Sequence, residues 1–160
     1  MPELELLRLD HAPALLAFER ENRAYFAASI PDRGDEYFAQ FDARHRDRLA
    51  EQDAELCFFH LLVNRDGEVL GRINLVDVAD GSAELGYRIA EKAAGQGLAT
   101  TAVRQICSLA VAEYGLTTLR AATTLDNNGS RAVLARTGFV PTGETLLSGR
   151  PGISYSLSLS

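Results

Sequence analysis

Three short apolar runs between residues 56 and 89 limit the folds open to this chain more than any other feature. "LCFFHLLVN" (56–64) and "EVLGRINLVDV" (68–78) flank "RDG", and "AELGYRI" (83–89) follows the turn "ADGS". Runs of this length, rich in β-branched and aromatic residues and bounded by turn formers, read as strands. The Asp66-Gly67 pair favours the positive φ angles of a tight hairpin. Strands joined by so few residues pair antiparallel, because a parallel pairing needs a crossover of roughly a dozen residues or more. A three-strand meander therefore occupies the middle of the chain.

The flanking segments change period. "ELELLRL" (3–9) reads as a strand, and Asp10 is placed to cap a helix running through Asn22 with Leu15, Leu16 and Phe18 inside. From Asp35, as N-cap, to about Gln52, the residues Tyr37, Phe38, Phe41, His45 and Leu49 recur at helical spacing. Pro31 and Gly34 make the intervening "FAASIPDRG" a loop. After the meander come a helix from Gly97 to Tyr114, a strand "LRAATT" (119–124), and a helix from Asn128 to Thr137 closed by Gly138. Two strands, "FVPTGETLL" (139–147) and "ISYSLSLS" (153–160), end the chain around "SGRPG". With no internal repeat and no linker, residues 1–160 read as one mixed α+β domain of about seven strands and four helices.

Composition narrows the function. Of the residues 46% are hydrophobic and 24% charged, as in an ordinary globular protein, and no apolar run approaches the roughly 20 residues that span a bilayer. The N-terminal "MPELELLRLD" has no export signal, so a cytoplasmic protein without a membrane partner is expected. The net charge of −6 concentrates in residues 1–106, with 12 basic and 19 acidic side chains, against 4 and 3 in residues 107–160. That is no surface for direct contact with nucleic acid, whereas an acidic half suits a basic peptide or amine. Cys57 and Cys107 lie in apolar settings and read as two buried reduced thiols. His60 falls three residues after Cys57, on the opposite face of a strand, and no second ligand pair exists, so no metal site is expected.

The chemistry begins at "EKAAGQGLATTAV" (91–103), where a strand yields to Gly95, Gly97 and then a helix. Free N–H groups of a first helical turn, the helix dipole and missing β-carbons together suit a phosphate. The segment lacks the Gly-Lys-Ser/Thr ending of a P-loop and the third glycine of a dinucleotide fingerprint. A plain flexible turn is the other reading of two glycines in this setting.

"AELGYRIAEKAAGQGLATTAV" followed by "TTLDNNGSRAVLARTGF" resembles the acyl-coenzyme A site of the GNAT N-acyltransferases. The order of strands and helices is similar to that superfamily's fold over nearly the whole chain. The resemblance implies a mixed, mostly antiparallel twisted sheet and acetyl-CoA as cosubstrate. The family's pyrophosphate loop reads Gln/Arg-x-x-Gly-x-Gly/Ala; here Gly97 and Ala99 match and Ala94 departs at the first position. It implies contacts from Gly95, Gln96, Gly97, Leu98, Ala99 and Thr100. Asn127 and Ser130 take the positions that reach the pantetheine arm, although Asn127 reads equally as a helix-start residue. Backbone N–H groups at about Tyr87, Arg88 and Ile89 correspond to those that meet the pantetheine and the thioester carbonyl.

For catalysis the same resemblance points to Glu84 as general base, often acting through water, with a plain surface carboxylate as the other reading. Leu134 stands where many relatives carry a proton-donating tyrosine, leaving Ser130 as donor or as arm contact. "ENRAYFAASIPDRGDEYF" is similar to the start of ribosomal-protein N-terminal acetyltransferases of the RimJ and RimL type, a branch that also acts on antibiotics and polyamines. An α-amine loses its proton about 2.5 pK units more easily than lysine, an advantage of roughly 3.4 kcal/mol, which favours a protein N-terminus where no strong base is evident. The expected function is direct acetyl transfer in a ternary complex by a monomer or homodimer. Acetylation of a small amine such as an aminoglycoside or polyamine is the enzymatic alternative. A non-catalytic acyl-CoA sensor is the alternative of another class.

Overall fold

The computed structural model describes residues 2–159. Seven strands form one sheet: β1 (Glu3–Leu6), β2 (Phe58–Val63), β3 (Val69–Ala79), β4 (Ser82–Ile89), β5 (Thr118–Thr124), β6 (Val140–Leu147) and β7 (Arg150–Ser158). Their spatial order is β1-β2-β3-β4-β5-β7-β6, antiparallel throughout except for the parallel pair β4 and β5. The helices are α1 (Ala12–Glu21), α2 (Arg23–Ala27), α3 (Asp35–Ala39), α4 (Phe41–Asp53), α5 (Leu98–Ala112) and α6 (Asn128–Arg136). The α+β class, the sheet and the GNAT-like element order agree with expectation; Ser160, the last residue of the expected final strand, lies outside the described residues.

Both N-terminal helices differ from expectation in being broken. A 3-10 turn over Leu9–His11 precedes α1, and Asp10 bonds to the Arg8 side chain, not to a helix N–H. At Asn22 the side-chain amide donates to the Phe18 carbonyl at 2.9 Å while its oxygen accepts from Glu91 N–H at 2.9 Å. One buried side chain thus ends α1 and pins the exit of β4. Asp35 is the first residue of α3 and not its cap; Gly34, at φ 91°, precedes it, and Gln40 separates α3 from α4.

The meander's two turns also divide their work differently. At 64–67 only Gly67 has positive φ, and Asn64 Oδ1 accepts from the N–H groups of Asp66 and Glu68. The two-residue turn with both central residues at positive φ is Asp80-Gly81, where Ala79 pairs with Ser82.

The continuous apolar run of β2 follows from burial on both faces. Phe58 and Leu62 join Ile73, Leu75, Leu85 and Leu119 under Val103 and Ile106 of α5, while Phe59 and Leu61 pack against Leu15, Phe18 and Phe41 on the other side. His60, on the α5 face, bonds Tyr114 Oη at 2.6 Å and the Ile73 carbonyl at 3.2 Å. Opposite, Glu19 of α1 is 1% exposed. Its carboxylate meets Arg72 at 2.5 Å, Arg33 at 3.0 Å and Arg88 at 3.3 Å. Burial pushes its pKa up, but Arg72, Arg33 and Arg88 outweigh that, and Glu19 stays ionised. This cluster fixes β3, β4 and the loop before α3 to α1.

Candidate active site

A 3-10 turn over Glu91–Ala93 carries the chain from β4 to α5. Gly95 and Gly97 then take φ of 76° and 75°, the left-handed region that disfavours a β-carbon. A β-carbon on either would meet nothing within 4 Å, so backbone conformation, not crowding, demands glycine here. Gly97 caps α5 without any side-chain bond, and the first intrahelical bond is Thr101 N–H to Gly97 O at 3.1 Å. The N–H groups of Leu98, Ala99 and Thr100 are therefore left without helical acceptors.

These groups border a cleft of about 420 Å³. Gly95, Gly97, Leu98, Ala99 and Thr100 line it; Gln96 does not, its amide being turned back to the Lys92 carbonyl at 3.4 Å. Ala94 lines it with only a methyl group. Arg136 of α6 lines the same cleft, a cation that no motif spacing revealed.

The cleft exists because two strands part. β4 and β5 are paired only over Ser82–Glu84 against Thr118–Arg120, after which β4 follows β3 and β5 follows β7. Ala90 N–H donates to the Leu70 carbonyl at 2.8 Å. Hydrogen-bonded pairs recur at every second residue of an antiparallel ladder, so Gly86 and Arg88 turn their N–H groups to β3, and Leu85, Tyr87 and Ile89 turn theirs to the gap. Of the three expected backbone donors, Tyr87 and Ile89 thus face the gap. Arg88 instead commits its backbone to β3 and its guanidinium to Glu19, and burial lowers its pKa to about 10.

A second cavity, also about 420 Å³, continues through the gap under residues 27–31 and the turn between β6 and β7. Tyr87, Asn127 and Ser130 line both cavities. Where the two meet, Tyr87 Oη donates to Ser130 Oγ at 3.1 Å. Burial holds the Tyr87 phenol above its ordinary pKa, so it keeps its proton at neutral pH. Asn127 Oδ1 accepts from Ser130 N–H at 3.1 Å, capping α6 as its helix-start reading requires. Its amide nitrogen makes no hydrogen bond among the described residues.

Glu84 and Ser130 are not brought together. Glu84 sits where β4 and β5 are still paired, opposite Arg120 and Val76, and lines neither cavity. The lining of the second cavity holds no carboxylate; its charged side chain is Arg150, which reaches Asp126 at 2.5 Å and the Ser29 carbonyl at 3.1 Å. Leu134, 1% exposed, forms apolar wall there. Cys57 and Cys107 are free thiols, Cys57 buried and Cys107 half-buried, and burial raises both pKa values. Among the described residues no helix is long and apolar enough to cross a membrane, and no group of three His, Cys, Asp or Glu side chains is placed to hold a metal ion.

Parted strands beside a glycine-started helix leave a cleft bordered by free N–H groups, and the comparisons with known proteins give the chain's family. Residues 3–140 match the acetyltransferase (GNAT) domain family. The chain belongs to the GNAT acetyltransferase family and is an acetyl-CoA-dependent N-acetyltransferase. It is 29% identical over 141 residues to the Bacillus subtilis protein named "Probable N-acetyltransferase YjcK", covering 83% of this chain and 77% of that one. The ribosomal-protein-S5-alanine acetyltransferase of Vibrio fischeri shares its fold at a TM-score of 0.91, with 21% identity over 98% of this chain and 92% of that one. A spermidine N-acetyltransferase SpeG of Vibrio cholerae shares it at 0.79, with 14% identity over 98% and 95%.

Proposed function

We propose that this chain is a cytoplasmic enzyme that acetylates the N-terminal α-amine of a protein, a ribosomal protein being the model acceptor, with residues 1–160 acting as one catalytic domain. The observation that carries this reading is the lining of the second cavity, which apart from Asn127 and Arg150 is apolar and hydroxyl-bearing and holds no carboxylate. A polyamine or aminoglycoside brings several positive charges, and nothing in that lining balances them; the acidic side chains of residues 1–106 lie elsewhere. An α-amine brings one charge and loses it readily near neutral pH.

In this reading the N–H groups of Leu98, Ala99 and Thr100 take the pyrophosphate of acetyl-CoA, Gly95 and Gly97 shape the loop, and Gln96 contributes backbone alone. Arg136 supplies the positive charge that Ala94 cannot. The free amide nitrogen of Asn127 donates to the pantetheine arm. The neutral amine attacks the thioester carbon, forming the N–C bond, while the N–H groups of Tyr87 and Ile89 stabilise the oxyanion. Collapse breaks the C–S bond; the departing thiolate takes a proton from Ser130 as Ser130 takes one from Tyr87, the amine's surplus proton leaves to water, and Tyr87 regains its proton from water. Glu84, outside both cavities, has no direct part in these steps, and the two thiols have none.

A panel of peptides with free α-amines, the same peptides blocked at the N-terminus but carrying lysine, spermidine and an aminoglycoside would test this. Free-thiol release gives the rate, and mass spectrometry locates the acetyl group. Acetylation at the α-amine, about tenfold or more faster than at lysine or spermidine, is the expected result. Acetylation of spermidine or the aminoglycoside alone would move the acceptor to small amines. Saturable acetyl-CoA binding with no thiol release across the panel would favour the sensor.

A further inference from the structure

On the α1 and α4 side of the sheet, a smaller polar cavity is built from arginines. It measures about 150 Å³ and shares no lining residue with either cleft cavity. One water needs only about 10–15 Å³ by this measure, so a polyatomic ligand fits. Arg33, Arg44, Arg48 and Arg72 line it, together with Tyr37 and Asn74. The guanidinium carbons of Arg33 and Arg44 stand 4.7 and 5.9 Å from the centre of the Tyr37 ring.

The charges do not balance. Glu19 serves Arg33 and Arg72 and is shared with Arg88, and Glu51 serves Arg48 at 2.6 Å. Four guanidiniums face two carboxylates, in a chain whose net charge is −6. Arg44 makes no ion pair or hydrogen bond with its side chain among the described residues. The Nε atoms of Arg33, Arg44, Arg48 and Arg72 are all shut off from solvent without a hydrogen-bond partner among those residues. Arg72 is only 6% exposed. Asn74 Oδ1, an acceptor, is likewise buried and unpartnered. Guanidiniums lining one cavity, with Arg44 unpaired among them, match an anion that accepts at several oxygens.

We infer that this cavity binds a small phosphate group, its charged oxygens taken by the arginines. Arg44 contributes most to its selectivity, because its charge is otherwise uncompensated. The site is separate from the acetyl-CoA cleft and does not depend on which amine is acetylated.

Inorganic phosphate is the probe, added to the full chain already saturated with coenzyme A so that the cleft's own phosphate loop is filled. Ionic strength is held constant with chloride. A saturable rise in melting temperature is expected with phosphate and not with chloride, and Arg44→Gln should weaken it about tenfold or more. The variant's stabilisation by acetyl-CoA should stay as in the wild type, which separates loss of this site from loss of fold. Arg48→Gln, read the same way, serves if Arg44→Gln does not fold. The inference is overturned if phosphate does no more than chloride in the wild type, or if its effect survives in a folded variant unchanged.

Discussion

The phenol of Tyr87 reaches Ser130, 43 residues further along the chain, at the junction of two cavities. With Leu134 in place of a tyrosine, these two hydroxyls are the proposed proton source for the leaving thiolate. Ser130→Ala should lower kcat about a hundredfold and Tyr87→Phe about tenfold, each leaving acetyl-CoA affinity nearly unchanged, as measured by thiol release and calorimetry. Loss of affinity without loss of kcat would reduce both to arm contacts. His60 carries a different prediction. Burial lowers its pKa from 6.5 to about 4, so the unfolded chain binds more protons between those values. Its contribution to stability is complete above about 6.5 and falls as pH drops toward 4. Urea denaturation from pH 7 down to about pH 5 should reveal this loss, and His60→Gln should flatten it.

Among the elements, glycine positions decide two separate things. Gly97 holds a left-handed conformation with open space above it, so Gly97→Ala should cost about 1–2 kcal/mol in denaturant titration and also weaken acetyl-CoA binding. Gly152 of β7 has no such freedom. A β-carbon there would come within 2.8 Å of the Thr123 carbonyl oxygen in the neighbouring strand. Because backbone cannot move aside cheaply, Gly152→Ala should cost about 1–3 kcal/mol by the same measurement, through displacement of β5 from β7. Positive φ at a glycine is legible from turn chemistry and helix starts. A strand glycine facing a carbonyl across the sheet is not, since that depends on register.

At the scale of the molecule, Glu19 ties four segments through Arg33, Arg72 and Arg88. Removing its charge leaves three guanidiniums facing one another in a buried space. Glu19→Gln should therefore cost about 3–5 kcal/mol in equilibrium denaturation, more than any single surface ion pair here. The α+β class, the meander, the glycine loop and the Asn127–Ser130 segment were legible because each rests on local chemistry. Apolar period, turn residues and helix starts act over a few positions. Broken helices at Asn22 and Gln40 were not, because Asn22 is spent on Glu91 across the fold.

What the sequence alone determined is the family of fold and the backbone of the glycine loop before α5, since both depend on conformations that neighbouring residues impose. Side-chain positions were decided by tertiary structure. Glu84 has a strand position compatible with a base, yet the β4–β5 pairing keeps it outside both cavities. Tyr87 read as a backbone donor and proves to present its hydroxyl as well, because the parting of β4 from β5 opens a path to α6. Arg136 and the arginine cavity were not legible, for the cavity closes only where Arg72 of β3 meets Arg33, Arg44 and Arg48, and Arg136 borders the glycine loop only across the cleft. Charge and hydroxyl chemistry act through space over a few ångströms, and only the folded chain sets those distances.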